Sequence, residues 1–296
     1  MKSIHSVAKW LLALACSLTA IASFAGAPDV LYFASITANQ DDPTNKRYED
    51  FLAYLSQKIG IPVRMKNFKD YASLIESQRT GEVHIASYGS SSFARAITTG
   101  VKTSAFATPV NNGGKGYYSV FYVKANSPYQ RLQDLKGKSI ALVDPDSTSG
   151  NMVPRLEMNK MGIRPEEFFG QVTYTGSHEK AVINLSQGLV DVAANAWISD
   201  TSSNMMRLSK AGVVNKDDFR IIFKSDLIPN GPFAFLDDLP DELKIKIANA
   251  FLVAQAENKT AFEKAIGAGA EALQPVRSED YRPIIELNRF VDGLKK

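Results

Sequence analysis

Residues 30–67 read VLYFASITANQDDPTNKRYEDFLAYLSQKIGIPVRMKN and contain one complete strand–helix–strand unit. The apolar run Val30–Ala34 is typical of a short buried strand. A helix is predicted over Tyr48–Ile59, because its apolar residues recur at helical spacing and fall on one face. The turn Gly60-Ile61-Pro62 ends this helix, and Val63–Asn67 is the next predicted strand. The stretch therefore predicts a parallel pair of strands joined by a helix.

The same alternation continues along the chain. Further strands are predicted over 82–86, 104–108, 117–124, 139–143, 171–174, 191–195, 219–223 and 233–236, and helices over 71–79, 93–97, 151–161, 179–187 and the C-terminal region. The strand–helix–strand unit occurs once before residue 120 and again after it. Because such units build parallel sheets covered by helices, the pattern predicts an α/β fold with two lobes, each a mostly parallel sheet flanked by helices.

The predicted lobes are residues 28–120 together with 229–296, and residues 121–228. Two crossing strands join them, and the bending is expected near Tyr118–Val123 and Leu227–Gly231. The helices at the C-terminus are expected to pack back onto the first lobe.

The N-terminus predicts export to the periplasm. Lys2 and Lys9 precede the apolar run Trp10–Ala25, and small residues follow, which is the layout of a cleaved signal peptide over residues 1–27. A membrane anchor is the alternative, but the run falls slightly short of the roughly 18 apolar residues that span a bilayer. The only cysteine, Cys16, lies inside this run. The rest of the chain therefore has no disulfide and no cysteine metal site, and lipidation of Cys16 is the less favoured reading.

Charge and composition exclude some function classes. The net charge of +3 becomes +1 without Lys2 and Lys9, since no acidic residue precedes Ala27. A nearly neutral chain without a basic stripe does not predict nucleic-acid binding. No cluster of His, Asp or Glu has metal-ligand spacing, so we expect neither a metal nor a cofactor.

The strongest local motif is Asp144–Gly150, DPDSTSG, between a predicted strand and a predicted helix. Ser147, Thr148 and Ser149 offer three successive hydroxyls next to a helix N-terminus, where unpaired backbone N–H groups and the helix dipole favour an anion. Simple capping of the helix is the alternative. The motif is not a P-loop, because the glycine spacing and the terminal lysine are absent.

A second serine-rich junction, Ala86–Ser92, includes Ser90 and also stands between a strand and a helix. In a two-lobed protein both junctions would face one cleft, at the carboxyl ends of the strands. His178 occupies a third strand-to-helix junction and could donate to an anion. Without other information, a surface histidine near a helix start is the favoured interpretation. Tyr71 and Tyr117 read as core aromatics by themselves.

A serine hydrolase is not favoured. Ser149, His178 and Asp191 have the residue types of a nucleophile, a base and an orienting acid. However, the Gly-x-Ser-x-Gly elbow is absent, and the spacing does not bring the three side chains into line.

Taken together, several motifs resemble the periplasmic phosphonate-binding proteins of ABC transporters, and more narrowly the branch that binds phosphite and hypophosphite. They are Asp70-Tyr71-Ala72, Ser87-Tyr88-Gly89, Gly116–Val120, Asp144–Gly150 with Val153-Pro154, Gly176–Glu179, Val190–Ala193 and Leu227-Ile228-Pro229. The resemblance extends over essentially the whole chain after the signal. It implies a type II periplasmic binding fold, no enzymatic activity, an ABC permease as partner and a monomer.

The resemblance also implies roles for individual residues. The hydroxyls and amides of Ser147, Thr148 and Ser149 would hold the oxyanion, His178 would donate to it, and Tyr71 and Tyr117 would be the two cleft tyrosines. Ser90 would contribute from the second junction.

The chain departs from this family at the other end of the ligand. Members that bind aminoalkyl phosphonates hold the amine with carboxylates, and those positions align with Ile198 and Gly231 here. With Trp197, Ile198 would form a smaller apolar pocket for P–H or P–CH3 groups. The expected ligands are hypophosphite, phosphite and methylphosphonate, in that order. The open alternatives are a sensory domain of the same fold, or a receptor for another tetrahedral oxyanion such as a sulfonate.

Overall fold

The computed structural model describes residues 26–36, 43–111, 113–114 and 116–294. The predicted signal peptide, apart from its last two residues, and Cys16 lie outside the described residues. Within them, no helix combines the length and the apolar character needed to cross a membrane.

The described chain contains thirteen strands and ten α-helices. The strands are β1 (Leu31–Ile36), β2 (Val63–Phe68), β3 (Ile85–Ser87), β4 (Thr103–Asn111), β5 (Gly116–Lys124), β6 (Ser139–Leu142), β7 (Gln171–Tyr174), β8 (Val192–Ser199), β9 (Ser202–Ser203), β10 (Phe219–Lys224), β11 (Ile228–Pro229), β12 (Phe233–Leu236) and β13 (Ala270–Pro275). The helices are α1 (Glu49–Ile59), α2 (Tyr71–Arg79), α3 (Ser90–Thr98), α4 (Val153–Lys160), α5 (Pro165–Phe168), α6 (His178–Ser186), α7 (Asn204–Lys210), α8 (Asp241–Glu257), α9 (Lys259–Ile266) and α10 (Arg282–Leu294). The predicted alternation of strands and helices is confirmed, with shifts of a few residues at most boundaries, but the C-terminal region predicted as helical also contains strand β13.

The strands form two sheets, one for each expected lobe. The first has the order β13-β4-β12-β3-β1-β2, and the second has the order β10-β5-β8-β6-β7. Strand β1 is parallel to β2 and β3, and β6 is parallel to β7 and β8. The pairings of β12 with β3 and β4, and of β5 with β8 and β10, are antiparallel. Each sheet is therefore mixed, with more antiparallel pairing than the sequence predicts, because strands that cross between the sheets enter beside the parallel units.

The chain crosses between the sheets twice. One crossing lies between Asn111 and Gly116, and the other lies between Pro229 and Phe233. The predicted bend at Tyr118–Val123 falls inside β5, which pairs with β8 along one edge and largely with β10 along the other, and it stays a prediction. The expected lobe boundary at residue 120 falls inside β5, and the division into 28–120 with 229–296 and 121–228 stays a prediction.

The core of the first sheet is built around Phe251 on α8. Its ring lies 5.1 Å from the rings of Phe106 and Phe233 and 5.4 Å from that of Phe51, measured between centroids. Phe33 on β1 joins the same cluster at 6.4 Å. Aromatic pairs at these distances stabilise a core beyond the area they bury. The cluster joins α1 and the C-terminal α8 to the first sheet, which confirms that C-terminal helices return to the first lobe.

We predict that Phe251→Ala lowers the free energy of unfolding by about 3–5 kcal/mol, because it removes a buried ring and leaves a cavity. Phe290→Ala is the matched control, since that ring on α10 is 47% exposed. The control is expected to change the free energy by less than about 1 kcal/mol. Denaturant titration of both variants measures these changes, and similar losses in the two would contradict the packing described here.

Candidate functional site

The hydroxyl-rich motif forms the start of a helix, as its sequence predicts. Ser147 is the N-cap residue, and its Oγ accepts a hydrogen bond from the backbone N–H of Gly150 at 3.2 Å. Thr148–Met152 then form one turn of π-helix that runs into α4. The helix therefore begins three residues before the predicted start at Asn151. Such π turns are rare and frequently occur at functional sites, because they reorient successive residues.

Close packing holds this turn against the second sheet. A Cβ added to Gly150 would lie 2.3 Å from Cγ2 of Val143, so only glycine fits at this position. From β5, Ser119 Oγ donates to the carbonyl of Ser149 at 2.7 Å. The backbone of the turn is thereby fixed from two sides.

A buried polar network supports the same turn from behind. Arg155 on α4 is 5% exposed, and its Nε donates to Oδ1 of Asn151 at 2.8 Å. The hydroxyl of Tyr174 donates to the same oxygen at 3.1 Å, and Asn151 Nδ2 donates to the carbonyl of Pro145 at 2.8 Å. Two bonds from Arg155 to Glu166 complete the network. Asn151 and Arg155 are buried while Glu166 and Tyr174 reach the surface, and the bonds to the Asn151 side chain hold the turn in one geometry.

Four helices begin at one place between the two sheets. Tyr71, Ser90, Thr148 and His178 are the first residues of α2, α3, the π turn and α6. Tyr71 Oη lies 3.4 Å from Ser147 Oγ, and His178 Nε2 lies 3.5 Å from that same oxygen. Helix N-termini carry unpaired N–H groups and a partial positive charge, so their convergence favours an anion.

The hydroxyl of Thr148 connects the two lobes. Its Oγ1 accepts from the backbone N–H of Ser91 at 2.8 Å and lies 3.4 Å from Oγ of Ser90. Burial raises the pKa of Tyr117 on β5, and the hydroxyls of Ser149, Thr148 and Ser90 oppose that rise. The structure thus brings together the seven residues expected to surround the anion, namely Tyr71, Ser90, Tyr117, Ser147, Thr148, Ser149 and His178.

These residues surround a cavity of about 250 Å³ between the lobes. It is lined by Tyr71, Tyr117, Ser147, Thr148, Ser149 and His178. Ser90 is fully buried and does not line the cavity, so its hydroxyl supports Thr148 and Tyr117 from behind.

Three ionisable groups of the cavity, His178, Tyr71 and Tyr117, are neutral at pH 7. Burial lowers the pKa of His178 to about 4, with a further contribution from Arg207 that offsets the opposing carboxylate of Glu179. Its Nδ1 is buried and has no hydrogen-bond partner among the described residues. Burial also raises the pKa values of Tyr71 and Tyr117. These side chains can therefore donate to an anion without carrying a formal charge themselves.

The apolar wall differs from the expectation in one residue. Ile198 lines the cavity, but Trp197 does not. Successive side chains of a strand point to opposite faces, and Trp197 packs instead against the ring of Tyr118 and beneath Nζ of Lys224. The expectation that Trp197 narrows the pocket is therefore wrong.

Gly231 lines the cavity in a position where no side chain fits. A Cβ at this residue would lie 1.9 Å from the carbonyl oxygen of Tyr88. A carboxylate could not occupy this position without a shift of the backbone.

Charged residues that the sequence analysis did not select also face the cleft. Arg47, Glu179 and Arg207 line the cavity. Arg95 on α3 donates to Asp146 of the hydroxyl motif at 2.8 Å and pairs with Asp292 on α10 at 2.7 Å. Arginines in short polar segments resemble ordinary surface residues, so no sequence pattern distinguishes them. Among the described residues, no group of three or more His, Cys, Asp or Glu is placed to hold a metal ion.

Comparison with known proteins shows the family of the chain. Residues 33–281 match the family model described as ABC transporter, phosphonate, periplasmic substrate-binding protein. The chain belongs to this family. Its members are periplasmic substrate-binding components of transporters and not enzymes.

Three relatives illustrate the range of the family. The chain is 30% identical to the phosphonates-binding periplasmic protein of Escherichia coli over 80% of this chain and 68% of that protein. It is 26% identical to a phosphate-import protein of Mycolicibacterium smegmatis over 81% of this chain and 75% of that protein. A Prochlorococcus marinus protein solved with methylphosphonate superposes with a TM-score of 0.74 at 17% identity, over 89% of this chain and 98% of that one. The shared fold is that of the type II periplasmic binding proteins, which confirms the predicted fold class.

We predict that the ligand-free protein loses stability as the pH falls from about 6.5 toward 4, partly because of His178. In this window the unfolded chain, with an ordinary histidine pKa near 6.5, binds a proton that the folded chain excludes, and protonation therefore favours unfolding. Denaturant titration of the wild type and His178→Gln at pH 7, 6 and 5 measures this effect. The advantage of the wild type over the variant is expected to shrink as the pH falls, and a constant difference would contradict the low pKa.

Proposed function

We propose that this chain captures a small reduced phosphorus oxyanion in its interlobe cleft and delivers it to an ABC permease. Hypophosphite, phosphite and methylphosphonate are the proposed ligands. The proposal is carried by one observation. The N-termini of four helices converge on one cavity, and one of them brings the hydroxyls of Ser147, Thr148 and Ser149. Export through a signal peptide at residues 1–27, with cleavage, and action as a monomer belong to the same proposal.

Reversible capture requires donors that do not react with the ligand. The hydroxyls of Ser147, Thr148 and Ser149 are each at most 2% exposed, and neutral His178 adds a further donor. Hydrogen bonds from neutral donors to an anion are charge-assisted, and each contributes about 1.5–3 kcal/mol. The site therefore binds strongly and leaves the ligand chemically unchanged.

Thr148 couples capture to closure. It belongs to the second lobe, and its hydroxyl lies against the start of α3 in the first. The Arg95–Asp146 ion pair joins the same two segments at 2.8 Å. We propose that an anion on the serine motif draws the start of α3 toward it, and that the closed form is what the permease recognises.

Selection among phosphorus anions is proposed to occur at the apolar wall. Ile198 lines the cavity, and position 231 has no side chain to hold an amine. An ammonium group buried there would lack a partner, and its desolvation would not be compensated. Phosphate is the main rival ligand, because a relative is named for phosphate import.

We predict that the protein, refolded free of ligand, binds at least one of hypophosphite, phosphite and methylphosphonate more tightly than 2-aminoethylphosphonate, phosphate, sulfate or methanesulfonate. Isothermal titration measures the seven affinities. Preference for 2-aminoethylphosphonate would contradict the loss of the amine site. Failure of every phosphorus compound to bind would contradict the proposed function.

We predict that Thr148→Ala and Ser149→Ala each weaken binding of the preferred ligand by about tenfold or more, since each removes a buried donor to an anion. Thr80→Ala is the matched control, because Thr80 is exposed at the end of α2. Titration gives the affinities, and circular dichroism checks that the fold is retained. Unchanged affinity in both site variants would contradict the assignment.

A further inference from the structure

The cavity is larger than the hydroxyl cluster requires. A water molecule accounts for about 30 Å³ of liquid, so an anion as small as hypophosphite fills only a minor part of the 250 Å³. The remaining wall contains apolar side chains, among them Ile36, Ile198 and Ile266, and two arginines. The composition of this remaining part indicates what else a ligand can carry.

Arg47 reaches the cavity from the first lobe. It belongs to a short 3₁₀ helix, Pro43–Tyr48, that leads into α1. Its guanidinium carbon lies 4.6 Å from the centre of the Tyr48 ring, and Nη2 donates to Tyr48 Oη at 3.2 Å. Its Nε is buried and finds no hydrogen-bond partner among the described residues. The guanidinium is thus held in position by an aromatic ring while part of its donor set faces no acceptor.

Arg207 reaches the same cavity from the second lobe, on α7. Its guanidinium lies 3.5 Å from a carboxylate oxygen of Glu179 and donates to Oδ1 of Asn204. Burial alone would raise the pKa of Tyr48, but Arg47, the hydroxyls of Ser35 and Ser87, and Arg207 lower it. Both guanidinium groups therefore act on one phenol, although they come from different lobes.

Among the residues that the structure describes, the charged side chains lining the cavity are two arginines and one glutamate, which gives them a net charge of +1. The carboxylate of Glu179 already faces Arg207. This balance disfavours a ligand ammonium and favours a second anionic group. Guanidinium groups bind carboxylates through paired N–H donors, so two of them on opposite sides of a cleft suit a planar carboxylate.

We propose that the cleft accommodates phosphonates that carry a second anionic group, with a carboxylate as the preferred one, held between Arg47 and Arg207 as the lobes close. The inference rests on the proposed function, since the phosphonate end occupies the serine motif. It extends the ligand class from the three small anions to carboxyalkyl phosphonates. Methylphosphonate represents only the phosphonate end of such a ligand.

Two pairs of ligands test the proposal by titration. Phosphonoacetate is compared with phosphonoacetamide, and 3-phosphonopropionate with its amide, since each amide keeps the shape of its partner and removes the charge. In the wild type, at least one carboxylate is expected to bind about tenfold or more tightly than its amide. A ratio below about threefold in both pairs would overturn the proposal, although methylphosphonate binding would still leave the proposed function standing.

The variant Arg47→Gln identifies the residue responsible. The ratio of carboxylate to amide affinity is expected to fall below about threefold. Arg131→Gln is the matched control, because its side chain is 74% exposed.

The double variant Glu179→Gln/Arg207→Gln removes the second guanidinium without leaving the carboxylate of Glu179 uncompensated. It is expected to reduce the affinity ratio in the same way. A ratio retained in both would overturn the proposal. If Arg47→Gln does not fold, Arg47→Lys decides the point, because it keeps the charge and loses the paired donors.

Discussion

The positive ends of four helices meet at one cavity, and the architecture of both lobes serves to bring them there. Four helices begin there, although they belong to two lobes and are far apart in the chain. Their first residues are Tyr71, Ser90, Thr148 and His178. Like partial charges at one point repel one another, so the arrangement is more stable with an anion in it. The packed glycine at Gly150 and the hydrogen bonds of the Asn151 side chain hold one of these helix starts in place. A neutral side chain such as His178 can add a hydrogen-bond donor there without adding charge.

Much of this site could be predicted from the sequence because helix starts have a local signal. Serine or aspartate followed by an apolar periodicity marks where a helix begins, and Asp70, Ser147 and Ser177 are such caps in the structure. Two strand–helix–strand units also predict that the junctions of both halves face one cleft. The fold class therefore followed from periodicity, and the resemblance to a family added the proposed roles of His178, Tyr71 and Tyr117.

Other features depend on long-range geometry and left no local signal. The pairing partners of β5 and β12 are chosen by the whole chain, so the antiparallel parts of both sheets and the position of the first crossing were missed. The side to which Trp197 points depends on the register of β8 against β5. Arg47 and Arg207 belong to short polar segments, and only tertiary structure places them on opposite walls of the cavity. Composition alone gives a nearly neutral chain and conceals this local excess of positive charge.

Ile198 and Gly231, the two positions that align with amine-binding carboxylates, differ in how readily another side chain can replace the one present. Ile198 lies on β8 and lines the cavity, so a different side chain there changes the surface that faces the ligand site. Gly231 is held under the carbonyl of Tyr88, and any side chain there requires the backbone to move first. A single substitution can therefore change the chemistry of the β8 wall. At Gly231 even alanine first requires the backbone at Tyr88 and Gly89 to give way.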